Sequence, residues 1–292
     1  MSQPATSSTS SESVGFVFVS MLASEMSVGK IELPSFPDIA VRVRRALQDE
    51  DVSPEAIVRI IGAEPSLAAR LLQLANSAAI NVSGKRITDL RPAIARIGFN
   101  LVRSSTIAFA MSQLAQSKSL LRIREPLHNL WKRSALVGAM ANVVAKRLTK
   151  VNADAAALAG IVHGMGKLFI MVRAVEHPAL FSDPESYGRI EQLWHANIAK
   201  ALLENWDMPD EVVAAVHLHE DLEYSHDGEA DLTDVLIVAN LLVAFRQHPQ
   251  DIELNLQGVS AATRIGLEAA AYPKLLAESA AEIEALRTAL GS

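Results

Sequence analysis

The sequence predicts an all-α protein, and three observations carry that prediction. Apolar residues recur at helical spacing behind proline and serine start signals along most of the chain. No run alternates apolar and polar residues as a half-buried strand does, and no strand–helix–strand rhythm is present. Half of the residues are hydrophobic, mostly Ala, Leu, Ile and Val, while aromatics make up only 5%. Small and aliphatic side chains of this kind suit closely packed helices, about twelve to fourteen of them at this length.

The first 27 residues read as a flexible Ser/Thr-rich tail: eight of the twelve residues from Ser2 to Ser13 are Ser or Thr, and no Lys or Arg precedes Lys30. Pro37 opens a helix towards Leu47 with Ile39, Val43, Ala46 and Leu47 on one face. Ser53, Pro54 and Glu55 read as cap, first-turn proline and first-turn acid ahead of Ile57, Ile60 and Ile61. Pro65 opens the next helix, whose stripe is Leu67, Leu71, Leu74 and Ala75. Pro92 to Arg103 reads as two short helices hinged at Gly98. Helices are then expected over Trp131 to Leu148, Asp154 to His163, Ser186 to Trp206, Pro209 to Leu218 and Asp231 to Phe245, and an amphipathic one over Tyr272 to Leu290. Gln116 to Pro126 and Ser182 to Ser186 are the weakest links, and the first divides an N-terminal lobe, ending near residue 116, from a second lobe starting near 127. Residues 246–292 are expected to pack back on the body through Ile265, Leu275, Leu276, Ile283 and Leu286.

The chain of 292 residues is long enough for a sizeable core, and its mean hydropathy of +0.19 is too high for a disordered chain. It holds no cysteine, which excludes disulfides, Cys-zinc sites and thiol nucleophiles. The apolar patch Gly15 to Ala23 is short and lacks the basic flank of a signal peptide, and no run reaches the roughly 18 apolar residues of a membrane span. A cytoplasmic protein without membrane partners is expected. The net charge of −6 is unevenly placed: Lys85 to Arg133 carries +8, and Leu180 to Ser292 carries −14. Arg91, Arg96 and Arg103 make a basic interaction face for an acidic partner if they lie together.

Without thiols, the eight histidines are the main source of chemistry. His128, His177, His226 and His248 fall at helix ends or in loops, where a solvated histidine is ordinary. His163, His195 and His219 each lie at or near the end of an apolar helix, so they are candidates for one shared pocket. They lack the His-Glu-x-x-His spacing of a zinc helix. Gly164 and Gly166 around Met165 allow a sharp turn between packed helices. Lys167 reads first as a solvated lysine at a helix start and second as an anion contact at that N-terminus, and Asn76 and Ser77 read as caps of the preceding helix.

The segment Gly160-Ile161-Val162-His163-Gly164-Met165-Gly166-Lys167-Leu168 resembles the His-Asp and Gly-Lys-Leu signature of HD-superfamily phosphohydrolases, with glycine in place of the aspartate. Upstream, Leu33-Pro34-Ser35-Phe36-Pro37, Ala63-Glu64-Pro65-Ser66-Leu67, Leu71 to Ala78, and Ile87-Thr88-Asp89-Leu90 running into Ala93-Ile94 and Ile97-Gly98 resemble the opening motifs of the HDOD domain, the HD-related output domain of bacterial signalling proteins. Glu64 departs from the aspartate more usual there. The resemblance spans Ile31 to Phe245 and implies a multi-helical HD-like fold with an HDOD domain over residues 28–245.

The resemblance also implies a damaged metal site. HD enzymes hold metal with histidines and aspartates, and the metal generates hydroxide or polarises a phosphate. Arg133 stands where the first histidine falls, His163 matches the second, and Gly164 replaces the aspartate. His195 and His219 match auxiliary histidines, and Asn240 stands in place of the last aspartate. These six residues are expected to form a vestigial pocket with no metal, no cofactor and no catalytic residue. The implied function is a non-catalytic signalling module acting in trans on protein partners, such as cyclic-dinucleotide enzymes or receiver-domain proteins, with or without a small ligand. No receiver-like, GGDEF-like or EAL-like segment fits in the chain, so a stand-alone copy is expected. A metal-dependent phosphohydrolase with unusual ligands is the alternative. A nucleic-acid-binding regulator using Pro92 to Arg103 as a helix-turn-helix is a second alternative, opposed by the core-facing pattern of Ile94, Ile97 and Leu101.

Overall fold

The computed structural model describes residues 8–28, 37–49, 51–77, 80–81, 84–114, 116–266, 268 and 271–289. Leu33 to Phe36 and Ala78 of the opening motifs lie outside the described residues, as do residues 290–292. Among the described residues there are fourteen α-helices and two 3-10 turns, and no strand.

The N-terminal lobe is built from α2 (Asp38–Ala46), α3 (Pro54–Gly62), α4 (Pro65–Ala75) and α5 (Leu90–Leu114). Ser53 accepts a bond from the Ala56 N–H and Pro54 takes the first turn, which starts α3 where the sequence places it. Ile57, Ile61, Leu67, Leu71 and Leu74 are fully buried. Gly98 breaks α5 with φ 75° and ψ 163°, a left-handed conformation that a side chain resists. On either side of this kink Ile94, Ile97 and Leu101 are buried. They face the core, the orientation that opposes the helix-turn-helix alternative.

After α4 the side chain of Asn76 ties the helix end to Ile87. Asn76 Nδ2 donates to the Leu72 and Ile87 carbonyls at 2.8 and 2.7 Å, while its Oδ1 accepts the Ile87 N–H at 2.8 Å. These bonds occupy both the N–H and the carbonyl of Ile87. Asn76→Ala strands the amide and the carbonyl of Ile87, while the Leu72 carbonyl keeps the backbone N–H of residue 76, and we expect a loss of about 2–3 kcal/mol in urea unfolding.

The second lobe begins with a 3-10 turn at Lys118–Ile123, then α6 (Arg124–Leu148), α7 (Ala153–Val162), α8 (Met165–Ala174), a 3-10 turn at Pro178–Ser182, α9 (Pro184–Asn205), α10 (Asp210–Leu218) and α11 (Leu232–Phe245). Helix α6 starts seven residues before the sequence reading, because Pro126 is tolerated in a first turn where no amide is needed. α6 lies along α7 and α11, and α8 lies along α9; α5 touches α6 and α7 and joins the two lobes. Ala153–Ala174, which spans α7 and α8, is apolar and long enough to cross a membrane, but 94% of its most apolar window is buried in the core and it turns at His163 and Gly164.

The ends of the chain close on this body. α12 (Pro249–Leu256) and α13 (Ser260–Ile265) pack on α11, and α14 (Tyr272–Ala289) crosses α6 and α4, spanning both lobes. Residues 8–28 are not a tail but a helix, α1 (Ser8–Val28), lying on α9. Phe18 and Leu22 are buried, and Glu25 pairs with Arg173 at 3.1 Å. The serine content of the first thirteen residues hides this, since the anchoring residues lie in the short apolar patch that follows.

Candidate functional site

Three helix ends bring three imidazoles together. His163 follows α7, His195 sits within α9 and His219 follows α10, and all three are buried. The His163 and His219 rings are 5.2 Å apart, and those of His195 and His219 are 5.6 Å apart, both edge-on. In each ring Nδ1 meets a backbone carbonyl: Gly160 at 2.6 Å, Glu191 at 2.8 Å and Val216 at 2.7 Å. A carbonyl only accepts, so each Nδ1 carries the proton and each Nε2 is left for the pocket. Burial, followed by the nearby His219, Arg133 and Lys167, pushes the His163 pKa well below its ordinary value.

Glu220 completes the cluster, and the sequence reading missed it. Its carboxylate oxygens lie 3.3 Å from His195 Nε2 and 3.5 Å from His219 Nε2. Neither contact is aligned as a hydrogen bond, so both ring nitrogens stay unpartnered in the interior. With a second proton on the facing Nε2, His195 first and then His219 hold the Glu220 carboxyl well below the usual carboxylate range. Lys167 Nζ reaches the same carboxylate at 3.1 Å, so of its two readings the structure has the anion contact rather than the solvated lysine. The available signal was adjacency alone, an acid directly after His219 at the end of a helix.

On the other side of the pocket, Arg133 Nη2 donates to Asn240 Oδ1 at 2.7 Å, joining α6 to α11. Burial lowers the Arg133 pKa, and the Glu220 charge opposes that shift. Gly164 packs against α6. A Cβ there would lie 2.7 Å from Ser134 Oγ and 3.1 Å from Leu130 Cδ1, so an aspartate at 164 must displace Ser134.

The six residues predicted for the pocket therefore lie on the packed faces of α6–α11, with Glu220 and Lys167 added. His195, His219 and Glu220 can place three ligand atoms within 4.8 Å of one another. That donor set suits one cation, and a proton between ring and carboxylate also meets it. The guanidinium of Arg133 and the ammonium of Lys167 add positive charge close to these donors.

The three arginines predicted for a basic face are all engaged, in different ways. Arg91 is exposed and pairs with Glu55 at 2.6 Å. Arg96 Nη1 donates to Asn81 Oδ1 at 2.7 Å and reaches the Lys85 carbonyl at 3.3 Å. Arg103 is half-buried and donates to the Leu47 carbonyl at 3.1 Å, closing the C-terminal end of α2. Burial lowers its pKa. The charge asymmetry of the sequence does not become a face of three free guanidiniums, because Arg103 holds the fold.

Comparison with known proteins agrees with this architecture. Residues 33–222 match the family model of the HDOD domain. A proposed metal-dependent phosphohydrolase from Shewanella amazonensis SB2B superposes with a TM-score of 0.76 at 25% identity, over 95% of this chain and 99% of that one. An HDOD domain protein of unknown function from Geobacter sulfurreducens follows at a TM-score of 0.62 and 22% identity, over 92% and 96% of the two chains. A curated, uncharacterized protein from Treponema pallidum (strain Nichols) is 23% identical over 228 residues, which is 73% of this chain. The chain spans only 42% of that relative's length.

Proposed function

The chain belongs to the HDOD domain family, and from that premise we propose that it is a non-catalytic signal-transduction module that acts in the cytoplasm on protein partners in trans. The observation that carries the reading is the bond between Arg133 and Asn240 at 2.7 Å. In the enzymes that the sequence resembles, these two positions hold a histidine and an aspartate for metal. Here they hold each other, beside a glycine where the other aspartate belongs. An arginine in that place satisfies the asparagine by a directed hydrogen bond and repels a dication. What remains is a pocket of charged and imidazole groups that ties α6, α7, α9, α10 and α11 together.

A metal-dependent phosphohydrolase with unusual ligands is the second reading, and the convergence of His195, His219 and Glu220 favours it. One assay separates the two. We expect the purified full chain, supplied with Mn²⁺ or Fe²⁺, to hydrolyse neither bis(p-nitrophenyl) phosphate nor cyclic dinucleotides above background, and His163→Ala to leave that background unchanged. Metal-dependent turnover that His163→Ala abolishes would replace the first reading with the second.

A further inference from the structure

A different cleft, at the junction of the lobes, has no role in the pocket described above. It has a volume of about 660 Å³ and lies between α4, α5, α6 and the 3-10 turn that links the lobes. That size is within the range of small-molecule sites. The floor is Arg70, whose guanidinium lies over the Phe109 ring at 5.4 Å and over the Trp131 ring at 5.7 Å. Trp131 is 4% exposed, and its Nε1, like Nη1 of Arg70, is buried without a hydrogen-bond partner among the described residues.

Buried N–H groups left in this state are uncommon, since each costs the loss of its bond to water. Both of these groups can only donate. A ligand that satisfies them must bring acceptors. The rim selects among acceptors by charge: Arg122 and Arg124 line it, opposed by Glu125 alone, and the exposed His128 stands beside them. Neither rim arginine has an ion pair among the described residues. These residues include the basic part of the sequence that Arg91, Arg96 and Arg103 leave unexplained.

We propose that this cleft binds a small anion presenting phosphate or carboxylate oxygens, held at its base by Arg70 and Trp131 and at its rim by Arg122 and Arg124. Planar guanidiniums suit either oxygen array. Because α4 and α5 belong to one lobe and α6 to the other, an occupant bridges the two.

The indole N–H of Trp131 provides the test. In the ¹⁵N-labelled full chain, Trp131→Phe assigns its signal among those of Trp131, Trp194 and Trp206. Sodium pyrophosphate and sodium citrate are then titrated in separate arms at constant ionic strength. The expected result is a saturable shift of the Trp131 signal with half-saturation below about 1 mM for at least one anion. Response to pyrophosphate alone identifies a phosphate ligand, and response to citrate alone a carboxylate. Arg122→Gln with Arg124→Gln, both at exposed positions, should weaken binding about tenfold or more without lowering stability. No shift with either anion up to roughly 10 mM, tenfold above the expected affinity, would overturn the proposal. So would a shift that chloride reproduces, or one that survives in the double variant.

Discussion

Gly166→Ala is expected to remove more than about 4 kcal/mol of stability, enough to leave little native protein at 25 °C. A Cβ on residue 166 would lie 1.8 Å from the carbonyl oxygen of His195 and 3.0 Å from the Ala199 amide nitrogen. These are backbone atoms of α9, so no rotamer change relieves the clash, and α8 and α9 must separate along a fully packed seam. The separation also carries His195 away from His219, so the loss of fold and of pocket should coincide. Gly160→Ala should behave in the same way, because its Cβ would meet Gly138 Cα of α6 at 2.5 Å. Gly188 is the control: it lies inside α9 with nothing within 4 Å of an added methyl, and Gly188→Ala should add about 0.5–1 kcal/mol. Urea unfolding followed by circular dichroism checks all three. A Gly166→Ala protein within about 1 kcal/mol of the parent would mean that the α8–α9 seam yields far more easily than its packing implies.

The same seam shows how much of the site the sequence could tell. Start signals such as Ser53-Pro54 and hinge glycines such as Gly98 act within a few residues, so they are legible in order along the chain. The gathering of His163, His195 and His219 was legible in part, because each ends or interrupts an apolar helix and so must face the core. Glu220 and Lys167 were not legible as a pair. They stand 53 residues apart and bond to each other only because the start of α8 and the end of α10 meet at the same place. Arg103 failed for the reverse reason. Its charge suggested an outer surface, whereas its stem is buried and its guanidinium closes α2 through Leu47. Long-range partners of this kind are set by tertiary packing and leave no local periodicity. α1 is the intermediate case: its two anchors, Phe18 and Leu22, are four residues apart, one helical turn, but two positions are too few to stand out beside thirteen residues rich in serine.

The second large effect is expected from Arg264→Met, which should cost about 3–5 kcal/mol. Asp234 is fully buried in the first turn of α11, where it and Asp231 form a reciprocal capping box. Arg264 of α13 reaches its Oδ1 at 2.6 Å and bonds the His226 carbonyl at 2.9 Å, while His226 Nε2 meets Oδ2 at 2.9 Å. His226, Asp231 and Asp234 also have the donor atoms of a metal site, but the guanidinium already supplies the cation there. Methionine keeps the apolar stem of Arg264 and removes only that cation, which leaves the carboxylate buried beside one imidazole. Adding Asp234→Asn should recover part of the loss, because it removes the stranded charge. The variant should also gain a pH signature. The bond to Asp234, followed by that to the Asp227 carbonyl, raises the His226 pKa. The folded state therefore holds this proton more tightly, and its contribution is complete below the unfolded value of about 6.5 and lost as the pH rises through the folded value. With Arg264 gone, His226 is the only cation at the carboxylate, so urea stability of Arg264→Met should fall more steeply between about pH 6 and pH 8 than that of the parent. Equal slopes in the two proteins would mean that Asp234 does not depend on His226 when its arginine is removed, and that water reaches the base of α11.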